Sequence, residues 1–258
     1  MTGRATFAQR VRDREPILGY WSVLDCPIAA EWLAHVGWDY IALDLQHGLI
    51  GYAGMITNLT AIDAAGGPVS MVRVEANDAA MIGRALDGGA SGVIVPLINT
   101  ASEAAAAVAA AKYPPSGVRS YGPMRSQLRI GPTPATADDE TVVLAMIETQ
   151  QGIANVEAIC ATPGLDGIYV GPSDLRLALG GATSTDPSID ERFEETLARI
   201  RTAAQKAGIA AGIHTSDGQT AARRLADGFT LASVASDLVH LRNASAQHLE
   251  HARAGLSR

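Results

Sequence analysis

Several apolar runs in this chain end in a residue suited to acid–base or electrostatic chemistry. Asp44-Leu45-Gln46-His47-Gly48 sets a carboxylate three residues before an imidazole, across a turn that Gly48 can close. A carboxylate beside an imidazole orients the ring and raises its basicity, the arrangement of a general base. Arg73 ends the run Met71-Val72-Arg73. It offers a fixed positive charge for a developing enolate oxygen, or a structural ion-pair partner for Asp44 or Glu148. Glu148 follows Met146-Ile147, and Asp174 follows Val170-Gly171-Pro172-Ser173. On neighbouring strand ends, these two carboxylates can converge on one divalent cation, and an all-oxygen ligand set suits Mg²⁺, Mn²⁺ or Co²⁺. The plainer alternatives are that Asp174 caps a helix beginning at Leu175 and that His47 is a surface histidine. His35, His240, His248 and His251, in helical stretches, read that way.

Other chemistry is poorly supplied. The only lysines are Lys112 and Lys206, both at or after helices, whereas Schiff-base chemistry needs a desolvated lysine within the site. Cys26 and Cys160 make neither a disulfide framework nor a thiolate metal site, and each reads as a small buried thiol. The segments His214-Thr215-Ser216 and Ser233-Val234-Ala235-Ser236 hold no glycine-rich phosphate cradle, so a phosphorylated substrate is not expected. With a net charge of −7 and no run of Lys or Arg, nucleic acid is not an expected partner. The longest apolar stretch, around 101–111, is Ala-rich, short and carries Glu103, which fails as a membrane span. Residues 1–16 lack the apolar core of a secretory signal, so a cytoplasmic location is expected.

These residues need elements to hold them. Strand-like runs lie at 17–21, 40–43, 69–74, 92–96, 142–147, 167–170, 210–213 and 230–234. Helical patterns fall at 27–35, 52–64, 79–87, 101–111, 151–161, 189–207, 219–226 and 237–254. Eight strand–helix units imply parallel strands with right-handed crossovers. In 258 residues they favour one α/β domain, 1–258, built as a (β/α)8 TIM barrel; an open doubly wound sheet is the alternative. A barrel gathers its chemistry at the C-terminal strand ends, where Asp44, His47, Arg73, Glu148 and Asp174 all fall. Residues 113–139, rich in Pro, Gly, Ser and Arg, form a loop long enough to be functional or disordered.

The same motifs carry a resemblance. Asp44-Leu45-Gln46-His47-Gly48, Val72-Arg73-Val74, Gly88-Gly89-Ala90-Ser91-Gly92 through Pro96, Lys112-Tyr113-Pro114-Pro115-Ser116-Gly117-Val118-Arg119, Ile147-Glu148-Thr149 and Asp166-Gly167 through Leu175 resemble the HpcH/HpaI aldolase family. The resemblance runs in matching order over about residues 17–240. It implies a class II, metal-dependent aldolase that makes or cleaves 4-hydroxy-2-oxo acids, with pyruvate and an aldehyde as the small-molecule partners. Glu148 and Asp174 would hold the metal, and Arg73 the keto or enolate oxygen. His47, supported by Asp44, would govern proton transfer. The backbone N–H groups of Ser173 and Asp174 would receive the substrate carboxylate. The resemblance also implies a homo-oligomer, a hexamer built as a trimer of dimers, with the last helix exchanged between protomers. Gln46 stands where the family often has Glu, and Met146 where it often has Gln. Two other readings compete: a related barrel lyase or decarboxylase acting on oxaloacetate-like or acyl-CoA substrates, and a catalytically inert binding barrel.

Overall fold

Strands covered on both faces read as continuous apolar runs, which is how the eight runs above are written. The computed structural model describes residues 5–130 and 133–256. Its strands are β1 (Ile17–Ser22), β2 (Tyr40–Asp44), β3 (Val69–Arg73), β4 (Gly92–Val95), β5 (Val142–Ile147), β6 (Gly167–Val170), β7 (Ala210–Thr215) and β8 (Leu231–Ser236). Each pairs in parallel with the next in chain order, and β8 returns to β1 through Ile17 and Leu231. The sheet therefore closes as a (β/α)8 barrel, and the open-sheet alternative is excluded.

Side chains alternate along each strand. One set, including Ile17, Tyr40, Met71, Ile94, Leu144, Tyr169 and Leu231, fills the barrel interior. The other set, including Ile41, Leu43, Val72, Val93, Val143 and Ile168, packs beneath the helices. Tyrosines fit inside because the neighbouring strand supplies glycine. A Cβ on Gly19 would lie 2.1 Å from the Tyr40 ring, and one on Gly212 would lie 2.5 Å from Tyr169.

The helices are α1 (Phe7–Arg12), α2 (Pro27–Ala34), α3 (Tyr52–Ala65), α4 (Ala79–Asp87), α5 (Ala101–Ala111), α6 (Pro134–Glu140), α7 (Gln150–Ala154), α8 (Val156–Cys160), α9 (Pro172–Ala178), α10 (Asp190–Ala207), α11 (Gly218–Ala226) and α12 (Asp237–Leu256). Three depart from expectation. The single helix expected at 151–161 is broken into α7 and α8 at Asn155, whose side chain donates to the Asn99 carbonyl at 2.7 Å. The stretch 113–139 is not one irregular loop: it holds a 3₁₀ turn at Ser126–Leu128 as well as α6, while residues 131 and 132 lie outside the described residues. It joins α5 to β5, so it lies at the N-terminal end of the barrel, away from the expected site. There α1, too short to stand out in the sequence, packs against α6 and buries Ala8 and Val11 under the barrel.

The third departure is α9, which begins at Pro172 with Gly171 as its N-cap. Asp174 is therefore the third residue of the helix and not its cap. α12 leaves β8 directly and touches the barrel mainly at β8 and β1. Leu238, Leu241 and Leu249 along it are 51–60% exposed. Among the described residues, no helix is long and apolar enough to cross a membrane.

Candidate active site

The C-terminal ends of the strands surround a cavity of roughly 240 Å³, walled in part by Trp21, His47, Arg73, Ser173, Asp174 and His214. Arg73 is its fixed charge. As the last residue of β3 it faces β2, where Asp44 holds it in a bidentate pair, Nε to Oδ1 at 2.8 Å and Nη2 to Oδ2 at 2.5 Å. A planar fork on a planar carboxylate leaves little freedom, and Nη1 is left without an Asp44 contact. The guanidinium also lies 5.1 Å from the Trp21 ring centroid.

Asp44 is 2% exposed and accepts from the Trp21 indole at 3.2 Å and from the backbone N–H groups of Gln46 and His47, each at 3.1 Å. Burial alone would raise its carboxyl. The bonds and charge of Arg73, joined by the His47 N–H and the indole, outweigh burial and keep it below the usual value. Here the expectation is corrected. The Asp44 carboxylate does not hold the His47 imidazole; its oxygens are taken by Arg73, Trp21 and two amides. It shapes the turn that carries His47, and it locks Arg73. Among the described residues, no hydrogen bond is made to the His47 ring.

Glu148 follows β5 and is 2% exposed. Its Oε1 accepts the Leu97 N–H at 2.8 Å, while Oε2 is buried with no partner. Leu97 holds a left-handed backbone, φ 56°, a conformation that costs a non-glycine residue roughly 1 kcal/mol or more. Burial raises the Glu148 carboxyl above its usual value; the Leu97 N–H opposes the shift, the Asp174 charge adds to it, and Arg73 again opposes it. A lone buried carboxylate oxygen is costly unless something cationic meets it. The space beside it is kept by Gly171, whose Cβ, if it had one, would sit 2.5 Å from Oε2. Glu148 and Asp174 thus act on one another electrostatically across a glycine. Among the described residues, no three His, Cys, Asp or Glu side chains gather as a metal cage. A cation here would have two carboxylates and otherwise water or substrate oxygens, a set that suits Mg²⁺.

Both lysines are remote from the cavity. Lys112 is buried at the opposite end of the barrel, donating to the carbonyls of Asp138 and Thr141, and burial lowers its pKa. Lys206 lies in the last turn of α10. Cys160 is buried, but Cys26 is exposed, against expectation, because α2 begins directly after it and carries it outward. Met146 lines the cavity, and the Gln46 amide oxygen is buried without a partner.

Sequence reasoning missed Trp21 and His214. Both lie on the inward parity of their strands, Trp21 with Ile17 and Gly19, His214 with Ala210 and Gly212. Ending β7 at residue 213 hid the second of them. The His214 Nδ1 lies 2.8 Å from Ser233 Oγ, which is 2.6 Å from the Tyr169 hydroxyl.

Comparison with known proteins agrees with this geometry. The family model described as HpcH/HpaI aldolase/citrate lyase matches residues 18–244. A hydroxypyruvate/pyruvate aldolase of Rhizorhabdus wittichii is 39% identical over 240 residues, covering 93% of this chain and 95% of its own. A 5-keto-4-deoxy-D-glucarate aldolase of Citrobacter koseri is 36% identical, covering 93% and 91%. Among solved structures, an HpcH/HpaI aldolase/citrate lyase family protein from Burkholderia cenocepacia superposes with a TM-score of 0.87 at 34% identity, covering 95% and 98%. The chain belongs to the HpcH/HpaI aldolase/citrate lyase family and is a lyase of the aldolase type.

Proposed function

We propose that this chain is a divalent-metal-dependent pyruvate aldolase, cleaving 4-hydroxy-2-oxo acids to pyruvate and an aldehyde and forming them in reverse. The observation that carries the reading is a locked guanidinium and an unpartnered buried carboxylate oxygen at one small mouth, with Asp174 and His47 beside them. Glu148 and Asp174 would hold the cation, which when bound supplies Lewis-acid stabilisation of negative charge on the substrate.

The chain's own groups do the rest. Ser173 and Asp174 line the cavity. As second and third residues of α9 they carry N–H groups with no acceptor inside the helix, which would receive the 2-oxo acid carboxylate. Arg73, tied to Asp44 through Nε and Nη2, has Nη1 for the keto oxygen. His47 takes the proton of the 4-hydroxyl. The C3–C4 bond then breaks, the aldehyde carbonyl forms, and the bonding pair passes to C3 and the keto oxygen. The resulting enolate oxygen is met by the Arg73 guanidinium, which Asp44 already holds in position, the kind of preorganised contact whose loss costs about 2.7–4 kcal/mol of barrier. Protonation at C3 gives pyruvate. An oligomer, a hexamer with α12 exchanged between protomers, belongs to the same reading and is supported by the exposed leucines of α12.

The test is pyruvate release from a 4-hydroxy-2-oxo acid before and after chelation. Activity should vanish and return with Mg²⁺, Mn²⁺ or Co²⁺, and Glu148→Gln and Asp174→Asn should lose both metal binding and turnover. Full activity after exhaustive chelation overturns the metal assignment. Metal binding without aldol turnover favours the inert barrel.

A further inference from the structure

The mechanism above leaves a group at the mouth without a task. The His214 ring lines the cavity on the side of Trp21, with its centroid 5.3 Å from the indole in an edge-on contact. Trp21 in turn stacks on Tyr169 at 5.8 Å and is anchored through its N–H to Asp44. The imidazole is thus held by an indole that cannot turn. Its Nδ1 is held as well, through Ser233, which is completely buried.

The order of donors along this line decides what the ring offers. Tyr169 O and Ser233 Oγ are 2.6 Å apart, and Ser233 Oγ and His214 Nδ1 are 2.8 Å apart. A phenol is more acidic than an aliphatic hydroxyl, so Tyr169 donates to Ser233. Tyr40 is the third hydroxyl here, beside both Tyr169 and Ser233; with Tyr40 donating to Tyr169, the single Ser233 hydrogen goes to Nδ1. A neutral imidazole that accepts at Nδ1 carries its hydrogen on Nε2. No hydrogen bond to Nε2 exists among the described residues, and the ring borders the cavity.

We propose that His214 is a specificity-determining residue, donating its Nε2–H to a hydroxyl oxygen of the substrate, with Tyr169 and Ser233 as positioning residues that set its tautomer. The assignment rests on the aldolase reading above. Burial, with the Arg73 charge adding to it, pushes the His214 pKa down to about 4. The ring is therefore uncharged near neutrality and suits an uncharged oxygen better than a carboxylate or phosphate. That oxygen has two sources: a 3-hydroxyl on the 2-oxo acid, or an α-hydroxyl on the aldehyde. A substrate lacking it leaves the donor unpaired, which is how a polar group in a pocket discriminates.

Two substrate pairs separate the sources: hydroxypyruvate against pyruvate with acetaldehyde as common acceptor, and glycolaldehyde against acetaldehyde with pyruvate as common donor. The wild type should favour the hydroxylated member of one pair, by about tenfold in kcat/KM for one neutral hydrogen bond. His214→Leu should abolish that preference. His214→Gln, which keeps a donor, should retain part of it, and Ser233→Ala should weaken it. The pair that responds identifies the source. Ratios unchanged by His214→Leu and His214→Gln in both pairs overturn the proposal.

A readout independent of turnover is the ¹⁵N spectrum of the metal-loaded enzyme. It should show His214 with its hydrogen on Nε2, a mixed tautomer in Ser233→Ala, and a shift at Nε2 on adding hydroxypyruvate or glycolaldehyde. A hydrogen on Nδ1, or no shift at Nε2 with either compound, overturns the donor assignment. If aldol turnover is absent but Nε2 still responds, the aldolase reading fails and the donor assignment stands.

Discussion

His47 and Arg73 line the same cavity, and the proposed reaction gives them separable tasks. Aldol cleavage needs a base for the 4-hydroxyl proton, whereas decarboxylation of oxaloacetate reaches the same enolate without that transfer. His47→Ala should therefore lose aldol cleavage by about 10²–10⁴-fold while keeping much of any decarboxylation, and Arg73→Ala should damage both. Equal losses in the two reactions for His47→Ala, measured with metal bound, would remove His47 from the role of base. The structure moves Asp44 to the other column of this comparison. Because its carboxylate clamps Arg73 and only its contact with a backbone amide reaches His47, Asp44→Asn should follow the Arg73 pattern, lowering both activities. His214 makes a separate prediction through stability. Its folded pKa, about 4, lies below the usual value near 6.5, so as pH falls through 6.5 the unfolded chain takes up a proton that the native ring refuses. Stability from this group is intact above pH 6.5 and declines by about 3 kcal/mol as pH falls towards 4. Urea unfolding at pH 7, 5.5 and 4.5 should show that decline in the wild type and a shallower one in His214→Leu; parallel slopes would mean the ring is not held neutral.

At the scale of elements, periodicity carried most of the fold. Fully apolar strand runs and glycine-terminated helices placed every strand of the barrel within a few residues, because burial on both faces leaves no polar positions to blur the pattern. What escaped was short or depended on tertiary contact. α1 and α6 have six and seven residues, too few to show helical periodicity, and they are held by packing at the barrel's closed end. The break between α7 and α8 depends on an Asn155 bond to a distant carbonyl, which no local pattern announces. The same limit applied at the site. Motifs located Asp44, His47, Arg73, Glu148 and Asp174 and left Arg73 open to pairing with Asp44 or Glu148; proximity in sequence suggested that Asp44 serves His47, whereas register across β2 and β3 pairs it with Arg73. Lys112 is a further warning, since its burial and lowered pKa look functional and it lies at the end of the barrel without the site. The turn from β6 into α9 offers an element-scale test. Gly171 is needed there for the room it leaves, so Gly171→Ala should push a methyl group onto Glu148 Oε2. The expected result is at least a tenfold loss of Mn²⁺ affinity by calorimetry with the fold retained, and unchanged affinity would place the cation elsewhere.

For the whole molecule, the last helix poses the remaining question of assembly. α12 has twenty residues, of which only Asp237 is buried. That carboxylate accepts from Ser22 Oγ and from the N–H groups of Val23 and Leu24, so the start of the helix is fastened to the rim of β1. Val23 lines the cavity, which puts this fastening beside the chemistry. Beyond it, Leu238, Leu241 and Leu249 stand 51–60% exposed. A long helix with little tertiary packing gains little stability from its own propensity, and exposed leucines at helical spacing ask for an apolar partner surface. The exchange of α12 between protomers would supply one. The direct test replaces Leu241 and Leu249 with Glu, leaving Asp237 and its contacts untouched. Neither leucine is buried within the protomer, so the barrel should keep its circular dichroism and its metal binding. The mass by light scattering should fall from the wild-type oligomer to smaller species, with a lower unfolding temperature. A wild-type chain that runs as a monomer, or a double variant that assembles unchanged, would show that α12 does not join protomers. If the smaller species also lose aldol turnover, the link is the Asp237 fastening, through which disorder in α12 reaches Val23 at the cavity wall.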